Sequence, residues 1–168
     1  MTAIVIRPAC EPDLPVLSDI ELSAAETFDR YGQPIADLER TPDEYWAAHL
    51  SAGLLWVAEA PGAGLVGFLA AERQDDGLYV AEVDVRSGNQ RQGIGRRLMQ
   101  AVIDRARSDG LPSLTLTTFR RIPWNAPFYR SLGFRELEPA EMPSHLAAKV
   151  AAETAGGLED RCGMWLDL

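Results

Sequence analysis

The sequence predicts a mixed α/β domain: about seven strands in a central sheet, flanked by helices. Strand-like and helix-like stretches alternate along the whole chain. Apolar residues in the helix-like stretches recur at helical spacing. Clusters of Gly, Pro and Asp mark the turns between them.

Thr2 to Arg7 alternates as a first strand. Asp13 is expected as an N-cap with Pro15 early in the helix, and Leu17, Ile20, Ala24 and Phe28 follow at helical spacing. Phe28 to Ile35, with Gly32 and Pro34, reads as a loop. Thr41-Pro42-Asp43-Glu44 has the form of a capping box, which predicts a second helix to about Ala52. Leu54 to Glu59 and Leu65 to Glu72 read as a hairpin about Pro61-Gly62-Ala63-Gly64. After Asp75-Asp76-Gly77 comes a strand over Leu78 to Val85. Arg86 to Gln92 is a polar loop. Gly93 to Asp109 is a long amphipathic helix with Ile94, Leu98, Val102 and Ala106 on one face and Gly110 at C′. A strand over Leu114 to Thr118, a short helix over Ala126 to Leu132, and a strand over Phe134 to Leu137 follow. A helix over Met142 to Ala155 and a strand over Cys162 to Leu168 complete the chain.

The 168 residues suit one compact domain with a single sizeable core. Net charge is -9 with pI near 4.7, which argues against a nucleic-acid partner and suits a cationic one. No apolar run reaches the ~20 residues of a membrane span, and the N-terminus lacks a signal-peptide core, so a cytoplasmic protein is expected. Two cysteines without CxxC spacing and two distant histidines give no metal-ligand pattern.

The informative stretch runs from Val83 to Leu98. A strand passes through a polar loop into a helix whose first turn carries Gly93 and Gly95. A helix N-terminus offers unpaired N–H groups and a positive dipole end, and glycines let an anion approach. No acidic residue lies between Asp84 and Asp104 in this acidic chain, while Arg86, Arg91, Arg96 and Arg97 crowd the same region. A diphosphate would supply the missing negative charge. A tight turn with solvated arginines would use the same glycines. The third glycine of a dinucleotide fold is absent, because Leu98 stands there, and no Gly-Lys-Ser/Thr makes a Walker loop.

Gln90-Arg91-Gln92-Gly93-Ile94-Gly95 resembles the Gln/Arg-x-x-Gly-x-Gly/Ala signature of the GNAT superfamily of N-acetyltransferases. Asn125-Ala126-Pro127-Phe128-Tyr129-Arg130-Ser131-Leu132-Gly133-Phe134 loosely resembles a second family region, with the Asn closer to the Tyr. Element order agrees over nearly the whole chain, although the helix from Met142 is longer than the family pattern. The resemblance implies a mostly antiparallel sheet splayed at a cofactor cleft. It also implies acetyl-CoA as cosubstrate, no metal, a small-molecule amine as acceptor, and a homodimer as a common assembly.

Residue by residue, the resemblance implies that the backbones of Val83 and Val85 pair with the pantetheine arm, and that the Val85 N–H polarises the thioester carbonyl. Gln90, Arg91, Gln92, Gly93, Ile94, Gly95 and Arg96 would hold the diphosphate. Asn125 would bind the pantetheine arm, and Tyr129 would protonate the leaving thiolate. Tyr129 packing like Phe128, with its hydroxyl satisfied by backbone, is the other reading. Glu82 would take the proton of the amine, with Asp84 on the same side by strand alternation; an outward-facing strand acid is the alternative. Phe28, Tyr31, Trp46 and Trp124 are the candidate walls of the acceptor pocket, or core and lid packing. A non-catalytic acyl-CoA sensor and a protein N-terminal or lysine acetyltransferase are the competing functions.

Overall fold

The computed structural model describes residues 3–32 and 39–168. Its strands are β1 (Val5–Pro8), β2 (Leu55–Ala60), β3 (Gly64–Gln74), β4 (Gly77–Val85), β5 (Ser113–Phe119), β6 (Arg135–Glu136) and β7 (Arg161–Asp167). They form one seven-stranded sheet in the order β1-β2-β3-β4-β5-β7-β6. All neighbours are antiparallel except β4 and β5, which run parallel. The helices among the described residues are α1 (Leu14–Ala25), α2 (Asp43–Ser51), α3 (Ile94–Ser108), α4 (Ala126–Arg130) and α5 (Ser144–Ala155).

The sheet is covered on both faces, so β2 is buried along four consecutive residues rather than on alternate ones. On one face Leu98, Met99, Val102 and Ala106 of α3 pack on Trp56, Leu69, Val80, Leu114 and Leu116. The expected stripe of α3 is therefore the observed one. Gly110, at φ +68, ends the helix, with the Leu111 N–H donating to Ala106 O at 2.9 Å. On the opposite face Leu14, Leu17 and Ile20 of α1 and Trp46 of α2 pack on Leu55, Val57, Phe68 and Ala70.

Three local expectations are corrected. Asp13 stands at the N-cap position of α1, but its side chain makes no cap bond there. Its carboxylate accepts the Cys10 N–H at 2.8 Å and two bonds from the Arg7 guanidinium, at 2.8 and 3.0 Å, so it ties β1 to the turn before the helix. Thr41 makes no capping box, because its hydroxyl donates to Glu21 Oε1 at 3.0 Å across to α1 and the helix begins at Asp43 after Pro42. Phe28 is not on α1 but in a 3-10 turn over Glu26–Tyr31 that follows it. The end of the expected Phe28 to Ile35 loop, at 33–35, lies outside the described residues.

The site is made possible by how β4 ends. It pairs with β5 only at Leu78↔Leu114 and Tyr79↔Thr115, and the two strands then part. On its other edge β4 stays paired with β3, but with an irregularity: Ala71 faces Val80 and Ala70 faces Glu82, leaving Ala81 without a partner. This bulge exchanges the faces of the strand. Before it, Leu78 and Val80 face the α3 cluster; after it, Val83 and Val85 do. Strict alternation would have driven Glu82 and Asp84 into the apolar layer under α3, where an unpaired charge is costly. The bulge turns them to the α1 face instead.

The vertex of the wedge is tight. Gly77, at φ +138, lies against Ser113, and a Cβ added there would stand 2.0 Å from the Ser113 carbonyl oxygen. Gly62, in the β2–β3 turn at φ +80, has nothing within 4 Å. We expect Gly77→Ala to lower unfolding free energy by about 2–4 kcal/mol, through backbone clash and strain together. Gly62→Ala should cost about 1 kcal/mol from the left-handed backbone alone. Urea denaturation of both variants checks the order; equal losses would mean the β4–β5 vertex is not tightly packed.

Candidate active site

Beyond the vertex, β4 and β5 enclose a cleft of about 1230 Å³, lined by Val80 to Val85 on one side and Leu116 to Phe119 on the other. The Arg86 N–H donates to Val66 O at 2.9 Å, so it points at β3. Backbone polar groups alternate along a strand, so Val83 and Val85 turn theirs into the cleft. Gln90 donates its side-chain amide to Val85 O at 3.0 Å. Gln90 thus acts as a strut on the loop, and the Val85 N–H is left facing the opening.

The mouth of the cleft is the N-terminus of α3. Gly93 is the N-cap at φ +79; no side chain caps the helix, and its first turn holds no acid. A fifteen-residue helix therefore presents bare N–H groups and its full dipole to the cleft. A Cβ on Gly95 would meet only Phe128 Cζ, at an ordinary 3.7 Å, so packing does not demand glycine there. Its bareness keeps the approach to the helix end open, which fits a bulky anion such as a diphosphate.

The arginines divide. Arg91, at φ +62, and Arg96 line the cleft, Arg96 also donating to Ser131 Oγ at 2.9 Å. Arg86 donates to Leu65 O at 3.0 Å and Arg97 to Ile4 O at 2.7 Å, both bracing backbone elsewhere. Gln92 is exposed and outside the cleft lining, and the Ile94 side chain is buried in the core.

Asn125 and Tyr129 stand on successive turns at α4, with the Tyr129 N–H donating to Asn125 O at 3.0 Å. Both line the cleft. Asn125 Oδ1 accepts the Thr118 hydroxyl at 2.7 Å, so its NH₂ is the group left for the cleft. The Tyr129 ring packs edge-on against Phe128 and Phe134. Its hydroxyl makes no hydrogen bond to protein among the described residues. Burial and the charges of Glu82 and Asp84 push its phenol far above the usual value, so it stays protonated.

Glu82 and Asp84 share a face of the cleft. Burial, then the charge of Glu21, raises the Glu82 carboxyl to about 7. Burial and the Glu82 charge raise Asp84 well above the carboxylate range. Two neighbouring buried carboxyls resist ionising together. Glu21 of α1 completes the group. Its Oε2 is buried without a hydrogen-bond partner, and burial raises its carboxyl despite the Thr41 bond. Sequence reasoning missed Glu21. The signal was there: it lies four residues after Leu17 and three before Ala24, an acid on the apolar stripe of α1.

Three of the four candidate walls meet. The Trp124 ring lies 5.7 Å from Phe28 and 5.1 Å from Tyr31, and Phe28 lies 5.5 Å from Phe119. Trp46 does not join them. It is 1% exposed in the core beneath α1, edge-on to Phe68, with its indole N–H on Ser18 Oγ at 3.3 Å. Arg161 and Glu153, also missed, line the cleft as an ion pair at 2.9 Å. Among the described residues no group of His, Cys, Asp and Glu could hold a metal ion, and no helix is long and apolar enough to cross a membrane.

Comparison with known proteins gives one family. The Acetyltransferase (GNAT) family matches residues 19–134. Among solved structures, Rv2747 from Mycobacterium tuberculosis in complex with CoA aligns at TM-score 0.73 and 19% identity, over 98% of this chain and 99% of that one. The ribosomal-protein-S18-alanine N-acetyltransferase from Escherichia coli aligns at 0.71 and 21%, over 98% and 94%. N-acetylglutamate synthase from Neisseria gonorrhoeae, complexed with coenzyme A and N-acetyl-glutamate, aligns at 0.73 and 20%, over all of this chain but only 36% of that one. At these identities the likeness shows the shared fold.

The raised carboxyls carry a stability consequence. In the unfolded chain Glu82 loses its proton near 4.5, in the folded chain near 7. Between those values the folded state binds more protons, so stability falls as pH rises through that window. Glu82→Gln removes the charge, so its melting temperature should exceed that of the native chain by several degrees at pH 8 and match it at pH 4. Thermal melts across that range check it; a constant difference would refute the desolvated state of Glu82.

Proposed function

The chain belongs to the acetyltransferase (GNAT) family, and from that premise we propose that it moves an acetyl group from acetyl-CoA to a primary amine of a small molecule, by direct attack with both bound. The observation that carries the reading is the division of one cleft into two chemistries. A bare helix end with Arg91 and Arg96 lies on one side, and desolvated carboxyls with an aromatic wall lie on the other. The presence of coenzyme A in two of the aligned structures supports the same reading.

Bound acetyl-CoA supplies an activated acyl group; the chain's own residues do the rest. The N–H groups of the first turn of α3, from Gly93 to Arg96, receive the diphosphate. The backbones of Val83 and Val85 pair with the pantetheine arm as a strand would, which β5 leaves free by parting from β4. The Val85 N–H is directed at the thioester carbonyl, where negative charge develops. The Asn125 NH₂ holds the arm, and the Tyr129 hydroxyl protonates the departing thiolate.

Glu82 takes the proton of the attacking amine. An amine with pKa near ~10 is neutral in only about one molecule per thousand at pH 7. A carboxyl poised near 7 both accepts that proton and releases it again. Release of free CoA in the presence of a panel of small primary amines tests the proposal. Tight CoA binding with no release from any amine would leave a sensor instead.

Gly95→Glu should abolish CoA binding by calorimetry while the fold persists, because it adds bulk and a like charge at the helix end. Unchanged affinity would remove the diphosphate from α3. The kcat/KM of the native chain should climb through about pH 7 as Glu82 ionises. Glu82→Gln should lose that limb, with a defect that shrinks as rising pH supplies free amine. Tyr129→Phe should keep CoA affinity and lower turnover ~10²–10⁴-fold at every pH. Profiles that coincide with the native one would return either residue to a packing role.

A further inference from the structure

The charges lining the cleft are not balanced, and the imbalance describes the acceptor. Arg91 and Arg96 stand at the α3 end; the other charged lining residues are Glu21, Glu82, Asp84, Glu153 and Arg161. Arg161 is committed. Its Nε donates to Glu153 Oε2 at 2.9 Å, its Nη2 to Thr117 Oγ1 at 3.3 Å, and its guanidinium lies 4.4 Å from the Phe119 ring centre. It therefore cancels Glu153 and offers little to a ligand. Glu21, Glu82 and Asp84 pair with no cation among the described residues.

These three carboxyls line one cleft, and a monoamine brings only one positive charge to it. When Glu82 takes its proton, Glu21 is left desolvated, with Oε2 buried and unpartnered. Leaving such an oxygen unmatched is costly. A second ammonium on the same molecule would satisfy it. The same cleft also suits a carbon chain: Phe28, Tyr31 and Trp124 line it with apolar faces, and aromatic faces also attract a cation.

We propose that the acceptor is a dicationic diamine, with one nitrogen acetylated beside Glu82 and the other held as ammonium by Glu21 against the aromatic wall. This rests on the acetyltransferase reading, with Glu21 as the residue that selects for the second charge. The Glu21 carboxylate accepts N–H bonds from that ammonium, and the bond to Thr41, at 3.0 Å, fixes its direction.

The test compares butylamine with diaminobutane, which share a carbon chain and differ by one ammonium. With acetyl-CoA, the diamine should have the higher kcat/KM by about tenfold or more, and E21Q should bring the ratio close to one. Calorimetry of both amines on the CoA-bound protein should show the same preference, and the same loss in E21Q, whether or not turnover occurs. The binding arm separates this proposal from the acetyltransferase reading, which fails if CoA is never released. Equal affinity for the two amines overturns the proposal. So does a preference that survives E21Q, or a short peptide that outcompetes the diamine. The native chain's own ratio decides even if E21Q does not fold.

Discussion

The fold's function depends on a parallel strand pair that stops after two residues. β4 and β5 join at Leu78↔Leu114 and Tyr79↔Thr115, with Gly77 pressed against Ser113, and then separate. Beyond that point the backbone polar groups along the inner edges of the two strands have no strand partner and face the cleft. In most sheets such a gap would be closed by sliding the strands together. Here each strand is held elsewhere, β4 by its long ladder with β3 and β5 by seven register pairs with β7. The gap persists because both neighbours outvote closure, and it leaves one edge of β4 unpaired and open to the cleft.

The bulge at Ala81 is the second element of the same design. It lets β4 keep valines on the α3 face and carboxyls on the α1 face without losing its pairing to β3. The polarity of the cleft follows. Positive potential gathers at the uncapped helix end, negative potential at the acids of β4 and α1. Burial raises the proton affinity of these carboxyls, so their charged forms are less stable there than in water. That tension is what a group cycling protons at neutral pH requires.

Much of the architecture was legible in the chain because its signals are local. The α3 stripe, the Gly110 cap, the hairpin about Gly62 and the order of all seven strands depend on residues near one another in sequence. The α3 end was legible for the same reason: its anion-seeking character is written in two glycines and an absence of acids within one turn. The cap bonds expected of Asp13 and Thr41 do not form because each side chain has another partner, Arg7 of β1 for one and Glu21 of α1 for the other.

By itself, then, the sequence determined the element order, the bare helix end, and the Asn125–Tyr129 turn, each fixed by interactions within a few residues. Only the tertiary structure decided which face of β4 the acids take, since a single unpaired residue at Ala81 reverses a period-two pattern. Only it brought Glu21 and Arg161 together in the cleft, from a helix and a strand far apart in the chain. And only it removed Trp46 to the core while gathering Phe28, Tyr31 and Trp124. The physical reason is the same in each case: a side chain's partners there lie on other elements, and desolvation and charge act through space rather than along the chain.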